Sequence, residues 1–107
     1  MENNKREFER NKPEIKADMS YRLLNSPVFI KIPEITDISM NGISFYSSIS
    51  EKETSDIEIK FVYADGYNLR FIARVKRCRP EPEKKYLVAA EFLTISEKNL
   101  ALLLGRK

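Results

Sequence analysis

Two short stretches carry the residue types from which a site for a polar ligand could be built. In "DISMNG", Asp37 to Gly42, a carboxylate, a hydroxyl and a glycine stand at fixed offsets just before the apolar residues Ile43 and Phe45. If the backbone is extended at Asp37, the two-residue period of a strand puts Asp37 and Ser39 on one side and turns Ile38 into packing. That side then offers an acceptor beside a group that can donate or accept. Gly42 would permit a positive φ, or let a ligand or a neighbouring strand approach the bare backbone. The same residues have a plainer reading, in which Asp37 and Ser39 satisfy loop backbone donors and Asn41-Gly42 makes a turn.

The second stretch is "REFER", which sets Arg6 and Arg10 four residues apart in a polar segment. Two guanidiniums can present planar forks to phosphate oxygens or to the O6 and N7 acceptors of guanine, and can stack on a base. The spacing alone does not assign them, because it recurs at Arg70 and Arg74, where one face of a strand accounts for it. Other chemistry is scarce. The chain has no histidine and one cysteine, Cys78, which removes the commonest general base, the commonest metal ligand and any internal disulfide. Neither a nucleophile paired with a base, nor a metal cluster, nor a phosphate-cradling glycine loop is visible, so neither an enzyme nor a resident metal or cofactor is expected.

The elements that must position these residues are short strands. At 107 residues, 42% hydrophobic and 33% charged, the chain has the size and balance of one soluble domain. Its apolar runs are too short to span a membrane, and the start "MENNKREFERNK" lacks the apolar run of a secretory signal, so a cytoplasmic location is expected. Residues 1–13 read as a flexible arm and residues 14–107 as a single domain. Strand-like runs follow at "IKADMSYRLL", "VFIKIPEI", "GISFYSSI", "DIEIKFVY", "YNLRFIARVKRC" and "YLVAAEF", separated by turn residues such as Ala64-Asp65-Gly66 and a Pro80-Pro82 loop. From Ser96 the period changes, with Leu100, Leu103 and Leu104 at helical spacing before Gly105. The expectation is all-β: a six-stranded antiparallel β-barrel with a short C-terminal helix, closed so that no strand edge is left unpaired.

An arginine pair in an N-terminal arm, then one or two strands, then Asp-x-Ser-x-x-Gly entering a strand resembles the PilZ domain family. Its signature is RxxxR followed about twenty to thirty residues later by [D/N]xSxxG. The resemblance spans nearly the whole chain, through the alternating hairpin to "LVAAEF" and its closing Phe92. It implies a six-stranded barrel that binds the bacterial second messenger cyclic di-GMP. Carried over, Arg6 and Arg10 would clamp guanine edges and phosphates, Asp37 and Ser39 would hydrogen-bond the ligand, and Gly42 would leave room for it; Lys5, Asn41 and Arg77 are additional candidate contacts. Binding would change the contacts of a downstream protein partner or the oligomeric state.

Three positions depart from the family pattern. Lys5 stands where relatives often have a third arginine, keeping charge but losing planarity, which leaves one or two ligands per chain open. Ala89 or Ala90 stands where a glycine is frequent, and Arg77 where some relatives supply an aromatic. Lys5 and the alanines near Phe92 are the sequence support for an alternative, a PilZ-like interaction module that docks on a partner without nucleotide. A different class of reading rests on the seven cations and two glutamates between Arg70 and Lys85. It is a small barrel binding single-stranded nucleic acid through that stretch and exposed aromatics such as Tyr63 or Tyr67. Under the leading reading neither nucleic acid nor membrane is a partner.

Overall fold

The computed structural model describes residues 15–94, and alternation of apolar and polar side chains governs most of them. Seven strands form: β1 (Ala17–Leu23), β2 (Ile30–Lys31), β3 (Glu34–Ile38), β4 (Gly42–Ser47), β5 (Asp56–Tyr63), β6 (Asn68–Glu81) and β7 (Lys85–Phe92). In β5, Ile57, Ile59, Phe61 and Tyr63 are buried while every residue between them is partly exposed. Opposite it in β6, Leu69, Phe71, Ala73 and Val75 are buried, and Arg70, Arg74 and Lys76 face solvent, as their alternation requires. The turn at Ala64-Asp65-Gly66 forms as expected. Gly66 takes φ 90° there, and its N–H donates to the Tyr63 carbonyl at 2.9 Å.

Every pairing is antiparallel, and the strands lie side by side in the order β2-β1-β5-β6-β7-β4-β3. The two outermost strands, β2 and β3, are consecutive in the chain and separated only by Ile32 and Pro33. The sheet must therefore curl until its edges meet, and the covalent chain joins them where no ladder does. This corrects the six-stranded closed barrel to a curled sheet of seven strands. The run "VFIKIPEI", expected as one strand, is divided because Pro33 has no N–H to give to a ladder. Ile32 is buried at the corner, and its N–H donates to the Met19 carbonyl at 2.9 Å.

A second correction concerns Pro80, expected in a loop. It belongs to β6, opposite Tyr86, where β5 no longer runs alongside and the missing N–H leaves no ladder bond broken. The turn that follows is left to Glu83 and Lys84, both at positive φ. The expected N-terminal arm and C-terminal helix lie outside the described residues, among which no helix occurs.

The concave side of the sheet is filled by Tyr21, Phe45, Ile57, Ile59, Phe61, Phe71 and Val75 with their neighbours. Fully burying a side chain of this size contributes roughly 1.5–3 kcal/mol. A polar cluster is sealed among them. The Tyr21 hydroxyl donates to Glu51 Oε2 at 2.6 Å and lies 2.8 Å from Ser47 Oγ, and Ser47 and Glu51 are themselves buried. Burial first, and the Glu51 carboxylate second, push the Tyr21 phenol well above its ordinary value.

Candidate functional site

Asp37 reaches the outer surface because β3 carries a bulge. Ile35 pairs with Phe45 and Asp37 with Ser44, so Thr36 is the extra residue between two paired positions. Strict alternation would send Asp37 inward after the buried Ile35. With the bulge, Asp37 stands outside over Ser44, and Ile38 returns to pack on the core opposite Ile43. A matching irregularity occurs in β6, where Val75 pairs with Ala90 and Arg77 with Ala89, leaving Lys76 as the extra residue.

Between these bulges lies an open groove of about 310 Å³. Its floor is built from small side chains, Gly42 and Ser44 on β4 and Ala89 on β7, while Asp37, Ser39 and Asn41 form one wall and Lys76 and Glu91 the other. The groove exists because large residues are absent from that floor. Ala90 points into the core and is almost completely buried, so of the two alanines it is Ala89 whose methyl stands under a ligand.

The site residues divide according to what already engages them. Gly42 does not adopt a positive φ; among the described residues Gly66 is the glycine that does. A Cβ at Gly42 would overlap the Ala90 carbonyl oxygen and stand 3.3 Å from the Ala90 carbonyl carbon. Of the roles open to it from sequence, the geometry displays close approach of a neighbouring strand. Ser39 closes the β3–β4 loop: its N–H donates to the Gly42 carbonyl at 2.9 Å and its Oγ accepts the Asn41 N–H at 3.3 Å. The loop role of the plainer reading is thus real, yet the Ser39 hydroxyl keeps its own proton to donate. Asp37 makes no side-chain hydrogen bond or ion pair among the described residues, so its carboxylate is available to donors from outside.

Asp37, Ser39, Asn41 and Gly42 are therefore brought to one groove. Arg77 is exposed on β6 beyond the residues that line it. Lys5, Arg6 and Arg10 lie outside the described residues. Sequence reasoning missed Ser44, Lys76 and Glu91 as groove residues. A signal for the bulges was present: in "ITDI" and "VKRC" inward residues recur three apart, where an unbroken strand requires two. The cationic stretch from Arg70 to Lys85 is not an uncompensated strip, because Arg70, Arg74, Lys76 and Arg79 each face a carboxylate within 4 Å.

A groove of this size is at the small end for small-molecule sites. It can hold one flat polar edge and cannot by itself enclose a ligand with several rings and phosphates.

The family model for the PilZ domain matches residues 4–105. The chain belongs to the PilZ domain family. The match takes in both halves of the PilZ signature, "REFER" and "DISMNG". PilZ domains are a family of cyclic di-GMP receptors and are generally binding or adaptor modules without catalytic activity. Among solved structures the chain is similar to the inhibitor of motility MotI/DgrA of Bacillus subtilis, with a TM-score of 0.63 at 17% identity, over 82% of this chain and 43% of that one. At that identity the likeness establishes the PilZ-like fold, and the present chain spans less than half of the MotI/DgrA chain's length. No match is found among curated proteins. Among the described residues no helix is long and apolar enough to cross a membrane.

Proposed function

We infer that this PilZ domain is a non-enzymatic receptor for cyclic di-GMP, in which the arm carrying Arg6 and Arg10 closes over the groove between β3, β4 and β7. The observation that carries the reading is the outward Asp37 carboxylate, without a side-chain partner among the described residues, beside the Ser39 hydroxyl on a floor kept clear by Gly42, Ser44 and Ala89. A guanine edge offers N1–H and N2–H donors to such a carboxylate, and Ser39 can donate to a phosphate or carbonyl oxygen. Among the described residues the groove is lined by no arginine, so in this reading the planar cations that phosphates and base faces need come from Arg6 and Arg10. Fixing the arm costs roughly 1 to 2 kcal/mol for each ordered residue, which several charge-assisted bonds must outweigh. The closed arm then forms a new surface for a partner protein or a second copy, in the cytoplasm.

Calorimetric titration of the full chain with cyclic di-GMP tests this. Binding at micromolar protein that Arg10→Ala abolishes is expected; no binding at modest salt, or undiminished binding by Arg10→Ala, overturns it. The Ala89 methyl favours a second reading, the interaction module without nucleotide. That reading requires the unaltered chain to bind no cyclic di-GMP, and an Ala89→Gly variant that gains binding would identify the methyl as the obstruction.

A further inference from the structure

Two charged residues of the groove belong to neither half of the signature, and they face each other. Lys76 is the extra residue of the β6 bulge, a feature that re-aims a side chain without ending the strand. Its Nζ lies 3.6 Å from Glu91 Oε1, and both side chains are more than half exposed. Of the other cations on this face, Arg77 pairs with Ala89 but is exposed beyond the lining residues, and Arg74 is committed elsewhere. Arg74 holds Asp56 through two bonds, Nε to Oδ1 at 2.7 Å and Nη2 to Oδ2 at 3.2 Å, and keeps that carboxyl below the ordinary carboxylate range. Among the described residues Lys76 is therefore the cation that lines the groove, beside two carboxylates, Asp37 and Glu91.

We propose that Lys76 is an anion contact of the groove, taking a phosphodiester oxygen of the ligand, and that Glu91 is the built-in competitor that holds Lys76 in the empty state. The inference rests on the receptor reading above and adds to it the source and the regulation of positive charge on the β6 side. A single exposed contact between Lys76 and Glu91 is weak and readily exchanged, unlike the bidentate Arg74–Asp56 pair. Among the described lining residues two carboxylates stand against one ammonium. A guanine edge is admitted by Asp37, whereas a phosphate on the β6 side is held where Lys76 turns from Glu91 toward it.

The test is titration with cyclic di-GMP of the full chain and of Lys76→Met, Glu91→Gln and Arg79→Met, with thermal melting to establish that each variant is folded. Arg79→Met removes the same charge from the same strand outside the groove. The expected result is binding weakened at least about fivefold by Lys76→Met and tightened about threefold by Glu91→Gln, with Arg79→Met within about twofold of the unaltered protein. Binding that Lys76→Met leaves within about twofold, that Glu91→Gln weakens, or that Arg79→Met weakens as much as Lys76→Met overturns the inference alone. If the unaltered protein does not bind, the receptor reading fails and the inference falls with it.

Discussion

Asp37 and Gly42 are parts of one signature with opposite physical duties. The Gly42 position abuts the β7 backbone, so a methyl there meets the Ala90 carbonyl, which cannot swing aside as a flexible side chain would. Gly42→Ala is expected to destabilise the fold by about 1–3 kcal/mol, seen as a lower urea midpoint with or without ligand. Asp37 makes no side-chain bond among the described residues, so Asp37→Asn is expected to leave that midpoint nearly unchanged while weakening cyclic di-GMP binding. If the two substitutions acted alike on stability, the division of labour would be wrong. The sequence presented these residues as one motif. Their separation required the distance across β4 and β7, which no local spacing encodes.

At the scale of elements, alternation carried most of the information. β4, β5 and the first half of β6 have the faces their residues prescribe, because a half-buried strand permits one period. It failed at Thr36 and Lys76, where an inserted residue changes the face of everything after it, and at Pro33, where one apolar run became two strands. The elements are also tied by polar contacts that alternation does not reveal. Tyr21 on β1 reaches Ser47 at the end of β4 and Glu51 beyond it. The buried phenol is held protonated above its ordinary value of about 10, whereas the unfolded chain ionises there. Its contribution is therefore complete below about pH 10 and is lost as the pH rises further, because the unfolded state then binds fewer protons than the folded one. Urea midpoints measured between about pH 9 and about pH 11 should fall, and Tyr21→Phe should make the fall shallower. At neutral pH the same substitution is expected to destabilise by about 1–3 kcal/mol, since Glu51 stays buried without its donor.

At the scale of the whole molecule, the curl of the sheet brings β4 and β7 together and lays the groove open on the convex side. Under the receptor reading, cyclic di-GMP carries more phosphate and ring surface than that groove can cover, and the arm is proposed to complete the enclosure. Backbone amides of residues 5–10 are expected to exchange hydrogen more slowly when cyclic di-GMP is added, with the protection lost in Arg10→Ala and diminished at high salt. Unchanged exchange in the presence of saturating ligand would place the binding energy elsewhere. The residue types of the site, the strand periods and the absence of histidine were all readable along the chain, since each is a local property. Which strand lies beside which was not, because β7 pairs with β4 across some forty residues of chain and is chosen by the packing of the entire core. That choice brings Lys76 and Glu91 opposite Asp37, makes Gly42 obligatory, and turns a six-amino-acid motif into one wall of a groove.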